Sequence, residues 1–502
     1  MPDPAPPFTL ALDQGSHASK ALLFDAAGRV SVRGEAAVRS FRPSPGWVEH
    51  DPLEILASLR GAIRMALSTE GIAASAPASS GPAARDSAAG DLAPGAFGSA
   101  GLAVQRSSVV CWDRLSGEPL SPVLSWQDRR NAAWLAAQDL DPARVRAVTG
   151  LVASPHYGAS KLRWCLDHLP EVRRAADAGG LCCGPLASFL LHRLLEEQPC
   201  LVDPANAART LLWDLRTGDW SAEMLEAFGI EREWLPRCVA SRHDFGTLRL
   251  EGLQTKLAVS TGDQSAALFA GGRPDPATLF VNIGTGGFVQ RVRAEAPPAD
   301  TRLLRGIAWQ YEDQRMFVLE GTVNGAGAAL EWLAERHGVA VEALVKSLPG
   351  WLSGNIAPPL FVNGVGGLGS PFWRADCASH FSAPADLPSQ AVAVLESIAF
   401  LLQLNIEAID RAGGAGEAAA TRISISGGLA GLDGLCQRLA DLSGLPVERP
   451  AEREATARGV AWLLQDHRPP SAPAAAFRAG HADELRARFE RWRALMEEAV
   501  GQ

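Results

Sequence analysis

The chain has 502 residues, of which 47% are hydrophobic and 21% charged, as in ordinary globular proteins. This length is too great for one compact core and predicts two large domains. The formal net charge of −9 argues against a nucleic acid or an anionic membrane as a partner, because binding to either needs a basic field. The N-terminal residues lack the basic and apolar regions of a targeting peptide, and no run of about 18 apolar residues stands out, so we expect a cytoplasmic protein.

The segment Phe8–Asp25 consists of two short apolar runs on either side of a polar turn. The runs have the length of strands, and Gly15 permits the tight reversal between them. Backbone amides, the Ser16 hydroxyl and the Lys20 ammonium suit a phosphate, whereas Asp13 would repel one unless a metal or metal-bound water lay between. The segment suggests a Mg-nucleotide site, although an ordinary hairpin with a polar turn explains these residues equally well.

The following segments alternate between helix and strand, with one low-complexity interruption. A helix is predicted over about 52–69 and a strand over 101–104, joined by residues 71–99, which are almost all Ala, Ser, Gly and Pro. This stretch has few large apolar side chains to bury, so we expect a mobile surface loop. The α/β pattern continues with strands predicted at 107–113 and 122–126, followed by helices predicted at 131–139 and 160–167.

Two polar segments begin where apolar runs end, which is where α/β folds bind their ligands. In the first, Gln105 precedes Arg106, whose guanidinium can donate paired hydrogen bonds to vicinal hydroxyls. In the second, Trp126 offers an apolar wall to a sugar carbon skeleton. The charged residues 128–130 in the same segment are more simply explained as surface ion pairs.

The eight cysteines show no C-x-x-C pair and have no histidine at metal-binding spacing. Most of them stand among apolar residues, which is typical of buried side chains. The sequence therefore predicts free thiols in a reducing compartment rather than a disulfide framework.

An acidic residue follows the apolar run at 257–259 and precedes an Ala-rich helix predicted over 265–270. A carboxylate at a helix N-terminus stays ionised at neutral pH, so Asp263 can accept the proton of a substrate hydroxyl. That is adequate for phosphoryl transfer, in which positioning and charge neutralisation carry most of the barrier reduction. The alternative, that Asp263 only caps its helix, is favoured by spacing alone.

The second half of the chain opens with another strand, glycine-rich turn and strand, over 279–292 with the turn at 284–286. Farther on, a strand at 421–426 ends in the glycine pair 427–428, ahead of a helix predicted from about 432. That order places backbone amides at a helix N-terminus, where anions bind. Two hairpins, one heading each half, predict two related α/β domains whose turns oppose each other across a cleft and clamp one nucleotide.

With these segments in order, the chain resembles the FGGY family of carbohydrate kinases, and within it the glycerol kinases. The resemblance runs over about 9–464 and rests on an ordered set of motifs: Leu12–Gly15, Gly46–Pro52, Val104–Arg106, Ser125–Arg130, Ser160–Trp164, Gly262–Gln264, Ile283–Gly286, Leu319–Gly321 and Gly427–Gly428. It implies an α/β fold of two actin-like (ribonuclease H-like) domains with an interdomain cleft, as in hexokinases and heat-shock chaperone ATPases. The implied boundaries are an N-terminal domain at 1–270, a C-terminal domain at 271–466, and a C-terminal tail with a helix at 467–502.

The family transfers a phosphoryl group from Mg-ATP to a hydroxyl of a sugar or polyol. The resemblance implies Asp263 as the catalytic base and Asp13 beside Mg²⁺ through a water, with Asp263 as a further metal candidate. The residues that it places against the acceptor are Gln105, Arg106, Ser107, Trp126, His156, Asp263, Gln264 and Phe288. Those that it places against ATP are Asp13, Gly15, Ser16, His17, Lys20, Gly284, Thr285, Gly286, Gly327, Glu331, Gly427 and Gly428.

The chain departs from the glycerol kinase pattern on both sides of the implied site. Ser107 stands where that pattern has Glu and His156 where it has Tyr, so two polar partners of the acceptor are altered. Losing a charge-assisted hydrogen bond costs about 1.5–3 kcal/mol, and the smaller Ser107 opens space, so we expect an acceptor larger than glycerol. The usual phosphate turn Thr-Thr-Ser-Ser-Arg reads Ser16–Lys20 here, Leu432 replaces an Asn, and Glu331 replaces a Gln, so we expect weakened ATP binding.

The principal prediction is therefore an ATP-dependent kinase for a polyol or sugar. The alternative is a catalytically weak homologue that binds polyols or has a regulatory role, which the altered turn and pocket motivate. The retained Asp13, Asp263 and residues 284–286 favour the kinase, and Gln105 and Trp126 give no support to an actin-like or chaperone-like ATPase. The resemblance also suggests a homodimer or homotetramer.

Overall fold

The computed structural model describes residues 8–68, 97–250, 252–354, 356–413, 418–451, 454–465 and 475–501. Contacts within the chain divide it into two compact units. Unit 1 comprises Met1–Pro274, Gly306–Phe317 and Glu454–Pro470, and unit 2 comprises Asp275–Arg305, Val318–Arg453 and Ser471–Gln502. Each unit therefore draws on segments that are distant in the sequence.

The described strands and helices are numbered here in chain order. The strands are β1 (Phe8–Gln14), β2 (Ala18–Asp25), β3 (Val30–Ala37), β4 (Glu49–His50), β5 (Phe97–Val104), β6 (Val109–Asp113), β7 (Val123–Leu124), β8 (Leu181–Pro185), β9 (Leu201–Val202), β10 (Trp213–Asp214), β11 (Asp219–Trp220), β12 (Arg237–Cys238), β13 (Arg242–Leu250), β14 (Leu253–Gly262), β15 (Thr278–Ile283), β16 (Gly287–Arg293), β17 (Leu304–Tyr311), β18 (Gln314–Val323), β19 (Phe361–Val362), β20 (His380–Phe381), β21 (Arg422–Ser426), β22 (Val447–Arg449) and β23 (Ala475–Phe477). The helices are α1 (Pro52–Leu67), α2 (Ala132–Ala136), α3 (Pro142–Thr149), α4 (Gly158–His168), α5 (Pro170–Asp177), α6 (Leu186–Leu194), α7 (Pro204–Ala207), α8 (Ala222–Phe228), α9 (Asp263–Ala267), α10 (Gly327–His337), α11 (Val341–Ser353), α12 (Leu387–Arg411), α13 (Asp433–Ser443), α14 (Ala455–Gln465) and α15 (Asp483–Gly501).

Unit 1 is built on a six-stranded sheet with the strand order β13-β14-β5-β1-β2-β3. Within it β1 is parallel to β5 and β5 to β14, while β1, β2 and β3 form an antiparallel meander. Leu10, Ala11 and Leu12 on β1 are all fully buried, which explains the near-continuous apolar run of this central strand. α1 packs on β2 and β3, and α14 packs on β1 and β5.

Helix α1 begins at a capping residue and packs closely against strand β3. The Asp51 carboxylate accepts a hydrogen bond from the Leu53 amide at 2.8 Å, and Pro52 occupies the first helical turn, so the helix begins there. The face of α1 that carries Ala62 approaches β3 closely at Gly34. A Cβ on Gly34 would lie 2.0 Å from the Ala62 carbonyl oxygen, so only glycine permits this approach.

The second large sheet has seven strands in the order β17-β18-β16-β15-β21-β22-β23, of which β16, β15, β21, β22 and β23 lie in unit 2. Here β15 pairs antiparallel with β16 and parallel with β21, which repeats the hairpin-plus-parallel-strand arrangement of β2, β1 and β5. Among the described residues, α12 is the one helix long and apolar enough to cross a membrane, but 94% of its apolar window is buried inside the protein. We therefore describe α12 as a core helix of unit 2.

The C-terminal residues contribute to the core of unit 2. Strand β23 pairs antiparallel with β22 at the edge of the sheet. Phe489, Trp492 and Met496 on α15 are buried in the same hydrophobic core as α12, and the Trp492 Nε1 donates to the Phe361 carbonyl oxygen at 2.8 Å. The predicted helix in the C-terminal tail is thus present and packed, while the residues between α14 and β23 lie outside the described ones.

The elements predicted from the sequence occur with boundaries that shift by a few residues. The N-terminal strand-turn-strand, its counterpart at 279–292 and the strand at 421–426 are confirmed as β1–β2, β15–β16 and β21. The predicted helix at 265–270 is displaced and begins at Asp263. Of the predicted loop at 71–99, the last three residues belong to β5 and the others lie outside the described residues.

The close approach between α1 and β3 gives a stability prediction. Gly34→Ala is expected to lower the free energy of unfolding by about 1–3 kcal/mol, because the added methyl group would overlap the backbone of α1. Gly61→Ala in the same helix is the matched control, since its Cβ would meet only the Ala36 Cβ at 3.9 Å and alanine favours the helix by up to about 1 kcal/mol. Thermal unfolding measures both, and equal Tm shifts for the two variants would contradict this packing.

Candidate active site

A chain of hydrogen bonds joins the β1–β2 turn to the first two polar segments. The Gln105 amide donates to the Gln14 carbonyl oxygen at 2.9 Å, so Gln105 continues the pairing of β5 with β1. The Ser16 hydroxyl donates to the Gln105 Oε1 at 3.0 Å and accepts from the Trp126 Nε1, also at 3.0 Å. The structure thus brings together Ser16, Gln105 and Trp126, two of which were predicted for the acceptor and one for the phosphate.

The second cluster lies where β14 gives way to α9. The Arg106 guanidinium donates to the Gln264 Oε1, and its Nε lies 3.9 Å from the Asp263 Oδ1. Gly262 makes room for this arrangement, because a Cβ there would lie 2.5 Å from the Arg106 Cγ and Cδ. Gly262 is also the N-cap residue of α9, so Asp263 is the first residue of the helix rather than its N-cap, although its carboxylate accepts a hydrogen bond from the Gln264 amide.

Burial and charge act in opposite directions on Asp263. Burial raises the pKa of Asp263, whereas the Arg106 charge and the hydrogen bond from the Gln264 amide, at 2.7 Å, lower it. The Asp263 side chain is nevertheless 30% exposed, so it is accessible to a ligand. A partly desolvated carboxylate beside a guanidinium can accept a proton more readily than a fully solvated one.

Asp13 is the last but one residue of β1 and lies opposite Lys20 in the hairpin. Burial raises the pKa of Asp13 to about 7, the Asp263 charge adds to the rise, and the Lys20 charge opposes it. Two carboxylates that repel each other in a desolvated setting fit a divalent cation, which would relieve both effects. Among the described residues no group of three or more His, Cys, Asp and Glu side chains is arranged to hold a metal ion.

Lys20 is engaged in an ion pair that the sequence did not indicate. Its Nζ lies 3.0 Å from the Glu454 Oε2, and the Arg33 guanidinium lies 2.7 Å from the Glu454 Oε1. The predicted phosphate ligand Lys20 therefore shares a carboxylate with Arg33 in this structure. The other predicted residues of the turn are more open: His17 is exposed, and Gly15 is half-buried and donates to the Ala18 carbonyl oxygen at 2.9 Å.

A buried lysine donates hydrogen bonds to both acceptor positions that depart from the glycerol kinase pattern, Ser107 and His156. The Lys161 Nζ donates to the Ser107 carbonyl oxygen at 3.0 Å and to the His156 carbonyl oxygen at 2.7 Å. Ser107 is 3% exposed, has a φ of 66°, and its hydroxyl has no hydrogen-bonding partner among the described residues. Burial first, and then the Lys161 charge, lowers the pKa of His156 well below the ordinary value, so its imidazole is neutral at pH 7.

His156 also belongs to an aromatic cluster beside the predicted acceptor residues. Its ring centroid lies 5.7 Å from that of Trp126 and 4.9 Å from that of Tyr157. The guanidinium of Arg209, which is 5% exposed, lies 5.9 Å from the Tyr157 ring centroid, and its charge lowers the pKa of both Asp263 and His156. No motif in the sequence gives a signal for Arg209 or Glu454, and Lys161 was not predicted although it lies within the Ser160–Trp164 motif.

Of the three charged residues that follow Trp126, Arg129 is exposed, whereas Asp128 and Arg130 form a buried ion pair. The side chains of Asp128 and Arg130 are both fully buried and lie 2.8 Å apart, and the Asp128 Oδ2 also accepts from the Val48 amide at 2.7 Å. The Arg130 guanidinium stacks at 4.1 Å from the Trp47 ring centroid and at 4.5 Å from that of Trp164. The interpretation of these residues as a surface ion pair is therefore wrong, since tertiary packing around two tryptophans removes them from water.

Unit 2 carries the second group of predicted residues around the β15–β16 turn. The Gly284 amide donates to the Gly286 carbonyl oxygen at 2.8 Å, and the Gly327 amide donates to the Gly284 carbonyl oxygen at 3.0 Å. A Cβ on Gly327 would lie 2.8 Å from that oxygen, and one on Gly427, whose φ is 94°, would lie 2.4 Å from the Ile283 carbonyl oxygen. Glycine is thus required where α10 and the end of β21 approach this turn.

The remaining predicted residues of unit 2 differ in how open they are. Thr285, Gly428 and Glu331 are exposed, and a Cβ on Gly284 or Gly428 would meet no heavy atom within 4 Å. Glu331 lies one turn into α10. Phe288 is half-buried and pairs with Asn282 in the hairpin. The open backbone at the glycine positions is compatible with the approach of a phosphate or a nucleotide.

Comparison with known proteins agrees with this architecture. Residues 8–270 match the N-terminal domain of the FGGY family of carbohydrate kinases, and residues 279–465 match its C-terminal domain. A glycerol kinase of Alkalilimnicola ehrlichii is 36% identical over 467 residues, covering 90% of this chain and 89% of the relative. One of Citrifermentans bemidjiense is 35% identical over 470 residues, covering 91% of this chain and 89% of the relative.

Two solved structures share the fold. Plasmodium falciparum glycerol kinase with ADP superposes with a TM-score of 0.83 at 22% identity, covering 99% of this chain and 98% of that one. Xylulose kinase from Rhodospirillum rubrum superposes with a TM-score of 0.79 at 20% identity, covering 99% of this chain and 100% of that one. At these identities the two structures show the fold alone, and they confirm the predicted two-domain α/β fold.

The chain therefore belongs to the FGGY family of carbohydrate kinases. The resemblance inferred from the ordered motifs is confirmed, and so is the predicted enzyme class. The protein is a phosphotransferase that uses an alcohol group as acceptor.

The buried pair beside Trp126 gives a second stability prediction. Asp128→Ala is expected to destabilise the protein by about 3–5 kcal/mol, because the buried Arg130 guanidinium keeps only its contact with Glu49 and the buried Val48 amide loses its acceptor. Asp167→Ala is the control, since it breaks an Arg163–Asp167 pair whose side chains are about one quarter exposed, and we expect a loss of at most about 1 kcal/mol. Denaturant unfolding measures the two variants, and a loss below about 1 kcal/mol for Asp128→Ala would contradict the buried-pair assignment.

Proposed function

We propose that the protein is an ATP-dependent kinase that transfers the γ-phosphoryl group to a hydroxyl of a polyol or sugar, with an acceptor larger than glycerol. The observation that carries this proposal is the cluster of Arg106, Asp263 and Gln264 at the ends of β5 and β14. It combines a hydroxyl-binding guanidinium with an accessible carboxylate whose pKa burial raises. Family membership and the glycerol kinase relatives support the same activity.

In the proposed reaction the Asp263 carboxylate accepts the proton of the acceptor hydroxyl. The hydroxyl oxygen forms a bond to the γ-phosphorus, the bond from that phosphorus to the β–γ bridging oxygen breaks, and ADP leaves with the electron pair. Arg106 and Gln264, which are hydrogen-bonded to each other, orient the hydroxyls, and Trp126 packs against the carbon skeleton. Because most of the barrier reduction comes from positioning and charge neutralisation, a modest base is sufficient.

The nucleotide side of the site consists largely of backbone amides. We assign the turn of Gly15, Ser16 and His17, with Lys20, and the turn of residues 284–286 to phosphate binding. The remaining residues assigned to the nucleotide are Gly327, Glu331, Gly427 and Gly428. Asp13 and Asp263 are the residues that would hold Mg²⁺, which when bound neutralises phosphate charge.

The acceptor side supports a substrate other than glycerol. Ser107 presents a buried hydroxyl with no partner among the described residues, and His156 is neutral where the glycerol kinase pattern has Tyr. A buried hydroxyl without a partner is unfavourable unless a ligand satisfies it, so a further hydroxyl of a longer polyol or a ketose fits this position. We place Phe288 of β16 among the acceptor residues as well.

A catalytically weak homologue that binds polyols or has a regulatory role is the second candidate. The observation that favours it is the Lys20–Glu454 ion pair, which engages the predicted phosphate ligand. We favour the kinase because Asp13 and Asp263 are both retained. We further propose a cytoplasmic location, a homodimer or homotetramer, and no nucleic-acid or membrane partner, in keeping with the net charge of −9.

Asp263→Asn tests the catalytic base. The amide can still accept the hydrogen bond from the Gln264 amide but cannot take up the hydroxyl proton, so kcat is expected to fall by about 10²–10⁴-fold. Asp141→Asn is the control, since Asp141 caps α3 and Asn caps equally well, so its activity should be unchanged. A coupled assay of ADP release measures both variants, and activity of Asp263→Asn within a few-fold of the wild type would exclude the proposed role.

An acceptor panel tests the substrate. ADP release is measured with glycerol, tetritols, pentitols and ketoses, and we expect a higher kcat/KM for at least one acceptor with more than three carbons than for glycerol. No turnover with any acceptor, together with ligand-induced thermal stabilisation, would favour the weak homologue instead.

Ser107→Glu is expected to raise kcat/KM for glycerol by about 10- to 100-fold relative to longer acceptors, because it restores a charged hydrogen-bonding partner. Ser116→Glu at an exposed position is the control and should change neither value.

A further inference from the structure

Two cysteine thiols of unit 1 lie in direct contact away from the candidate active site. Cys182 on β8 is fully buried, and Cys200, which immediately precedes β9, is half-buried. Their Sγ atoms are 3.0 Å apart, although all eight cysteines are free thiols, as the sequence predicted. Since a disulfide has an S–S length of about 2.05 Å, an approach of about 1 Å would bring these two atoms to bonding distance.

The surroundings make the two thiols chemically unequal. The hydrogen bond between the two thiols, and then the charge of Arg114, lower the pKa of Cys200. The same hydrogen bond, followed by burial, raises the pKa of Cys182. Because Cys200 is half-buried and its pKa is lowered, whereas Cys182 is fully buried and its pKa is raised, Cys200 is the better nucleophile of the pair. Burial raises the pKa of the half-buried Cys377, which has no second thiol in contact, and so keeps it in the less reactive thiol form.

We propose that Cys182 and Cys200 form an oxidisable dithiol that a hydroperoxide converts reversibly into a disulfide. The Cys200 thiolate attacks the outer peroxide oxygen, the O–O bond breaks, and Cys200 becomes a sulfenic acid while hydroxide or alkoxide leaves. The Cys182 sulfur then attacks the Cys200 sulfur, an S–S bond forms, and the sulfenic oxygen leaves as water with the Cys182 proton. The two thiols together lose two electrons, and the peroxide gains them.

The position of the pair favours the second step over further oxidation. Because Cys182 is already in contact with Cys200, the sulfenic acid has its resolving thiol within reach as soon as it forms. The disulfide would join strand β8 to the residue before β9. The two cysteines are 18 residues apart in the sequence, with α6 between them. In a reducing compartment such a bond is transient, and thiol reductants restore the dithiol.

Peroxide treatment of the reduced full-length protein tests this proposal. After removal of reductant and exposure to hydrogen peroxide, the remaining thiols are alkylated in denaturant and the peptides are mapped by mass spectrometry. We expect the alkylatable thiols to fall from eight to six, a cross-linked peptide pair containing Cys182 and Cys200, and recovery of all eight with dithiothreitol. Eight alkylatable thiols after treatment, or a sulfinic acid on Cys200 with Cys182 still free, would overturn the proposal.

Single substitutions assign the roles within the pair. In Cys182→Ser, dimedone is expected to trap a sulfenic acid on Cys200, because the resolving thiol is missing. In Cys200→Ser, Cys182 is expected to stay reduced, since it is buried and its pKa is raised. Cys377→Ser is the control and should form the same cross-link as the wild type. If a substitution at Cys182 or Cys200 prevents folding, the peptide map of the wild type alone still decides the proposal.

Discussion

The candidate active site of unit 1 depends on three neighbouring parallel strands that end at the same level. In the register of the sheet, Val104 of β5 lies beside both Gln14 of β1 and Gly262 of β14. The residues that follow each strand therefore meet at one edge, where α/β sheets bind their ligands. The parallel pair of β15 and β21 does the same in unit 2, where it brings residues 284–286 to the glycine pair 427–428.

This convergence concentrates charge in a partly desolvated place. The Asp263 charge raises the pKa of Asp13, while the Lys20 charge lowers the pKa of Asp13 and the Arg106 charge lowers that of Asp263. Such opposing charges suit a phosphoryl-transfer site. A bound cation favours the ionised carboxylates, and a bound phosphate favours the charged lysine and arginine, so both neutralise charge in the site. Glu454 belongs to the same balance, since it lies 3.0 Å from the Lys20 Nζ and its charge raises the pKa of Asp13.

Motif order was sufficient to predict the family and the two-domain α/β fold, because each motif is a short segment whose turn chemistry is visible in the sequence. It also placed Gln105, Arg106 and Asp263 at strand ends, and the structure brings these residues together. The sequence was misleading about Asp128 and Arg130, because the residues that bury this pair come from distant segments. Asp128 and Arg130 were interpreted as part of a surface ion-pair cluster. Only the packing of Trp47 and Trp164 around the Arg130 guanidinium explains why the pair is buried.

The sequence by itself determined the strand-turn-strand segments, the glycines at the turns and the acidic residue at the head of α9, because these depend on neighbouring residues alone. Tertiary structure decided which groups those residues meet. The Lys20–Glu454 pair joins positions 434 residues apart, and Lys161 links the carbonyl oxygens of Ser107 and His156 across 54 and 5 residues. No local pattern encodes such partners, since burial, hydrogen bonding and pKa are set by what the completed fold packs around each side chain.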